Sequence, residues 1–201
     1  MLRTATAIAV AFVVFSCKDK MAQVNEDYSS APQQMLEDMF AIQTKNGNLV
    51  MRLEAGKMER YDNDTASLDI FPEGFAIYSY TDDGVLESLV IADNARHITT
   101  KNNRNEVWEA YGNVVMHNVI KQETMETDTI YWDRTVNLIY TDCYVKMYSE
   151  DGFMQGYGME SDDKVRNAIL KNPFNTYGVT SRDTTVVIVD SVNFIGPFLK
   201  K

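Results

Sequence analysis

The chain has 201 residues, 45% of them hydrophobic and 24% charged, with 11 Tyr, 9 Phe and only 4 Pro, which describes one ordinary globular domain with termini and excludes a disordered chain. Its formal net charge is −10, and loss of a leader carrying Arg3 makes the mature chain more acidic still, so nucleic acid is excluded as a partner. An acidic chain also lacks the field to hold a phosphorylated head group, so any lipid it carries has to be gripped through its acyl chains.

Residues 1–16 read as a lipoprotein leader. Arg3 precedes an apolar run from Ala5 to Phe15, too short for a bilayer whose hydrocarbon core takes about 20 helical residues. Small Ser16 stands directly before Cys17 with aliphatic Val14 two places earlier, the pattern of a lipobox, so Cys17 is expected to be the acylated lipid anchor of the cut chain. The alternative is an ordinary leader ahead of a chance cysteine. In the acylated form Cys143 is expected to be a buried, inert thiol with no partner for an internal disulfide, leaving stability to a sheet and its core. Residues 17–38 form the expected tether. From Lys18 to about Pro32 it is polar and aperiodic, able to reach about 50 Å at about 3.3 Å per residue, with room for a short helical turn over 34–38.

The globular part is expected over 39–180. Met39 to Thr44, the tetrad Lys45-Asn46-Gly47-Asn48 and the run from Leu49 spell a hairpin, because Asn-Gly suits a turn with two positive φ angles. Leu49, Met51, Leu53 and Ala55 then alternate with Val50, Arg52 and Glu54, one buried face and one wet face. Four short segments align: Ala55-Gly56-Lys57-Met58, Ala92-Asp93-Asn94-Ala95, Thr127-Asp128-Thr129-Ile130 and Ser161-Asp162-Asp163-Lys164, whose first residues are 37, 35 and 34 apart. Half-repeats also occur, as Tyr111-Gly112-Asn113 before Val114 echoes Tyr140-Thr141-Asp142 before Cys143. A period of about 35 residues with Asp-Gly and Asn-Gly turns describes stacked strand hairpins that cannot bury their faces singly. The fold class is therefore all-β, an antiparallel β-jelly roll or open β-trough. Residues 181–201 add a strong strand from Thr184 to Asp190 and a tail; that strand is either an edge for recruiting a further β protein or pairs back onto its own sheet.

Reaction chemistry is not expected. Cys143 has no neighbouring base, His97 and His117 lie in different strands without ligand spacing and read as strand-surface side chains, and no phosphate-binding glycine loop exists. The acid pairs Asp82-Asp83, Glu150-Asp151 and Asp162-Asp163 all fall at predicted turns, where carboxylates bind backbone rather than substrate; a hydrolase is the weakest reading. No catalytic residue, metal or cofactor is expected.

The repeats Ala92-Asp93-Asn94-Ala95, Thr127-Asp128-Thr129-Ile130-Tyr131-Trp132-Asp133, Ile139-Tyr140-Thr141-Asp142-Cys143-Tyr144-Val145-Lys146 and Asp151 to Asp162 resemble the LptC and LptA/OstA group of periplasmic lipopolysaccharide-export proteins. The resemblance covers most of Leu49 to Asp163. It implies a V-shaped jelly roll whose apolar trough holds lipid A acyl chains, seated on an ABC transporter of LptB, LptF and LptG and handing lipopolysaccharide to an LptA-like bridge protein by edge-strand pairing. It also implies the periplasmic face of the inner membrane, with the outer membrane as the alternative; the lipobox departs from the uncleaved transmembrane helix of the family's better-known members. The inward residues expected to line the trough are Met51, Leu53, Ile77, Ile91, Val114, Met116, Ile139, Val145, Met147 and Met159; plain core packing is the alternative for each, and flexible methionines suit irregular alkyl cargo. From another class, the competing reading is a structural or adhesive β-repeat lipoprotein of the cell envelope without lipid cargo.

Overall fold

The computed structural model describes residues 31–102, 104–179 and, by their backbone, 186–189; the leader, Cys17 and most of the tether lie outside the described residues. Thirteen strands follow in order: β1 (Gln34–Lys45), β2 (Asn48–Asp62), β3 (Ala66–Phe71), β4 (Phe75–Tyr80), β5 (Leu86–Ala92), β6 (Asn94–Thr100), β7 (Glu106–Asn118), β8 (Glu123–Asp133), β9 (Leu138–Ser149), β10 (Gly152–Asp162), β11 (Ile169–Pro173), β12 (Thr176–Val179) and β13 (Val186–Val189). They make one sheet, antiparallel at every pairing, and the described residues contain no helix. The all-β expectation holds.

The pairings describe a meander creased lengthwise. Met51–Ala55 of β2 pair with β4, and Glu59–Asp62 pair with β3. Glu106–Tyr111 of β7 pair with β6, and Val115–Asn118 pair with β5. In β10, Gly152 and Phe153 pair with β12, while Gly156–Glu160 pair with β11. So β3 and β4 are two halves of one broken strand, as are β5 and β6, and each long strand gives one half to each of two leaves. The inward faces of both leaves merge in a single core that includes Leu53, Met58, Phe71, Phe75, Ile77, Met116, Ile130, Val145 and Met159, the geometry of a V-shaped jelly roll.

The sequence repeats mark the crease. Backbone N–H groups of Gly56, Gly74 and Asp93 donate to the carbonyls of Glu73, Asp93 and Gly112, each at 2.9 Å, and Asn113 Nδ2 donates to Asp93 Oδ2 at 2.6 Å. Gly56 has to be glycine, because a Cβ there would lie 2.5 Å from the Glu73 carbonyl oxygen. At the crease the buried alternation slips by one residue, from Ala55 to Met58 and from Ala92 to Ala95, and the register shifts between Tyr111 and Val114, Thr127 and Tyr131, and Tyr157 and Met159. Such irregularities bend a sheet and increase its twist. The fourth copy, Ser161-Asp162, lies past the crease, which β10 crosses at Gly158 with φ 77°.

The sheet begins earlier than the sequence predicts. Residues 34–38 belong to β1, not to a helical turn, because Met35 and Leu36 pair with Glu59 and Met58 of β2. At the other end β13 pairs with β12, so the C-terminal strand returns to its own sheet and becomes its last member.

Candidate functional site

The cleft between the leaves is the candidate site. Of the ten residues expected to face inward, nine do: Leu53, Ile77, Val114, Met116, Ile139, Val145, Met147 and Met159 are buried in the core between the leaves, and half-buried Met51 packs against it. Ile91 is the exception, 44% exposed on the outer face. Val90 takes the inward place instead, paired with Ile77 and Met116, because the run Leu89-Val90-Ile91-Ala92 is apolar throughout and alternation cannot choose its face.

Between the leaves the packing leaves a void of about 40 Å³ bounded by Phe75, Ile77, Val90, Trp108, Ile139 and Val165 among others. A second void of about 10 Å³ touches Met116, Met125, Met147 and Val165. A wider depression of about 490 Å³, with Asn113, Glu126, Asp128 and Lys146 in its wall, lies on the outer side of the crease and has the polarity of ordinary surface. The apolar faces therefore meet in the cleft, and there they are closed on each other.

Toward the open end of the cleft one leaf turns polar. Arg60 grips Asp69 with two hydrogen bonds, Nε to Oδ1 at 2.6 Å and Nη2 to Oδ2 at 2.9 Å. His97 bridges onward, with Nδ1 3.3 Å from Asp69 Oδ2 and Nε2 3.2 Å from Glu106 Oε1, and its ring stacks on Trp108 at 4.1 Å. Arg134 Nη1 donates to Glu106 Oε1 at 2.8 Å while its guanidinium sits 5.2 Å over Trp132. Burial works against the charge of Asp69, but hydrogen bonds from His97 and Arg60 outweigh it and hold the carboxyl below the usual carboxylate range. Glu106 is likewise held low: burial opposes its charge, and the hydrogen bond and charge of Arg134 prevail. This rim is charge-balanced, so it offers little net attraction to a phosphate. Deeper in, Trp132 Nε1 and Ser161 Oγ have no protein hydrogen-bond partner.

His97 is thus not the strand-surface side chain the sequence reading makes it. Its partners arrive from β3 and the start of β7 through sheet register, which spacing along the chain does not reveal. His117 lies with Nδ1 2.9 Å from Thr124 Oγ1. No group of three potential metal ligands occurs among the described residues. Of the acid pairs, Asp162 binds backbone as expected, its Oδ1 accepting from the N–H of Arg166 at 2.7 Å, whereas Asp82 pairs with the Lys45 side chain at 3.4 Å. Cys143 is buried, 3% exposed, but it is disulfide-bonded rather than the unpartnered thiol expected from the sequence, and the other half of that bond lies outside the described residues.

A search of the curated proteins finds no match. The family model described as lipopolysaccharide-assembly, LptC-related, matches residues 4–178, a span that includes both leaves and the crease. With that span matched and a creased, apolar-lined antiparallel sheet beneath it, the chain belongs to the LptC-related family of lipopolysaccharide-assembly proteins.

Proposed function

We propose that this chain takes lipopolysaccharide from an ABC transporter of the LptB, LptF and LptG type, holds its acyl chains between the two leaves, and passes it to an LptA-like bridge protein by edge-strand pairing. Lipopolysaccharide transport is the work of the family, which is one of transport components and not of enzymes. The observation that carries the finer reading is the pair of facing apolar leaves, whose shared lining runs from Met51 and Leu53 through Met116 and Val145 to Met159. Burying one acyl chain of a dozen methylenes there is worth on the order of 10 kcal/mol at about 0.8 kcal/mol per methylene, enough to hold cargo without a cationic head-group site. The acidic chain, at −10, and the charge-balanced rim both favour that division of labour. Energy would come from the transporter's ATPase, and an edge strand such as β1, which pairs only with β2 among the described residues, is where a neighbour would add. Crosslinking to lipopolysaccharide from inward and outward positions of one strand tests the reading.

The position proposed for the domain is the periplasmic face of the inner membrane, tethered by a lipid on Cys17. The intact mass of the detergent-extracted chain decides what Cys17 carries. The expected species starts at Cys17 and is heavier by its acyl groups; an unmodified amino-terminal fragment would overturn the anchor while leaving the carrier reading standing.

A further inference from the structure

The cleft is closed by a segment of the chain itself. Residues 163–168 form the loop between β10 and its antiparallel neighbour β11, run outside the strand pairings, and reach from the end of their own leaf to the other. On the near side Asp162 anchors them, its carboxylate accepting from the N–H groups of Lys164 at 3.2 Å and Arg166 at 2.7 Å and from Asn167 Nδ2 at 3.0 Å. On the far side fully buried Asn118 donates from Nδ2 to the Val165 carbonyl at 3.0 Å, and Lys121 Nζ donates to the carbonyl of Arg166. Glu87 faces Lys164 at 3.8 Å and Arg166 at 3.9 Å. The strap is therefore held by polar latches on both leaves; water replaces the exposed ones at small net cost, while the buried Asn118 bond is released only as water enters with the opening strap.

The strap drives Val165 into the cleft, with Ala168 packed beside it. Val165 is 5% exposed and belongs to the core shared by both leaves. Its φ is 57°, a left-handed conformation that β-branched residues avoid and that persists only where surroundings impose it. Val165 is also common to the walls of both voids, that of about 40 Å³ beside Phe75, Trp108 and Ile139 and that of about 10 Å³ beside Met116, Met125 and Met147. A void of that size takes a few water molecules but not the length of an acyl chain. A slot long enough for an acyl chain exists only if the partition moves.

We propose that residues 163–168 are a gate over the cleft and that Val165 is an internal stand-in for cargo: a linear alkyl chain enters by displacing Val165, which joins the two voids into one slot. The inference rests on the carrier reading and adds the device that keeps the apolar leaves dry when no lipid is present. Strain stored at Val165 makes the closed strap easier to release, and the latch groups re-form it once cargo leaves.

The test titrates the full mature chain with dansylundecanoic acid and compares wild type with Val165→Gly and Val165→Ile. Glycine accepts the positive φ and removes the stopper, so Val165→Gly is expected to bind the probe about tenfold more tightly, the equivalent of one small apolar side chain no longer to be displaced. Val165→Ile, a larger stopper, is expected to bind more weakly than wild type. Should Val165→Gly fail to fold, Val165→Ala carries the same comparison with a smaller gain expected. Equal affinities across folded variants would overturn the gate and leave the carrier reading intact. Absence of binding by every folded variant would overturn the carrier reading itself, and the gate with it.

Discussion

Replacing Gly56 with alanine is expected to lower stability by about 2–4 kcal/mol, read as a fall in the denaturant midpoint. Gly56 is where β2 passes from one leaf to the other, and its N–H donates to the Glu73 carbonyl at 2.9 Å. A Cβ would stand 2.5 Å from that same oxygen, an approach no side-chain carbon makes, so the backbone at 73 has to retreat and the hydrogen bond with it. The retreat propagates, because Gly74 beside it donates to Asp93 and Asp93 to Gly112 along the crease. By contrast Gly47→Ala, in the β1–β2 turn with open space around it, is expected to cost only the penalty of a positive φ, about 1 kcal/mol. Equal losses at the two glycines would mean that the crease does not hold the leaves together.

Charge placed between the leaves is expected to be worse. Val145 is 0% exposed and sits opposite Thr127 on one side and Gly156 on the other, with apolar side chains across the cleft. Val145→Asp buries a carboxylate among apolar core side chains, and the expected loss is at least about 3 kcal/mol, or outright failure to fold. The adjacent side chain, Lys146, points outward toward Glu126 at 4.0 Å, and Lys146→Asp is expected to leave the thermal midpoint close to wild type, since exposed pairs contribute little. Thermal unfolding of the two purified variants checks both. A Val145→Asp protein that melts with wild type would mean the two leaves do not pack on each other.

Much of this architecture was legible in the chain. Alternation in Leu49 to Ala55 and in Ile139 to Met147 follows from the two-residue period of a strand with one wet face, and the residues so chosen do line the core. The repeated Ala-Gly, Ala-Asp and Thr-Asp segments were visible as a repeat, but their meaning was not. They punctuate a crease within continuous strands, not the ends of hairpins, and only the pairing of β2 with both β3 and β4 reveals that. Ile91 illustrates a second limit, since an unbroken apolar run carries no phase. The rim of Arg60, Asp69, His97, Glu106 and Arg134 was invisible for a third reason. Its members come together through the register of β2, β3, β6 and β7, and nothing in their spacing along the chain anticipates it. The strap reads in sequence as one more polar turn, and Val165 becomes notable only through its burial and its φ.

The central claim is that lipopolysaccharide travels between the leaves. It is tested most directly by placing a photo-crosslinking amino acid at Met147, 8% exposed and inward, and at outward Lys146, in cells that run the export pathway. Adducts with lipopolysaccharide at Met147 but not at Lys146, dependent on ATP hydrolysis by the transporter, are the expected result. A folded chain that forms no adduct at Met147, nor at inward Met116 and Met51, would contradict the account.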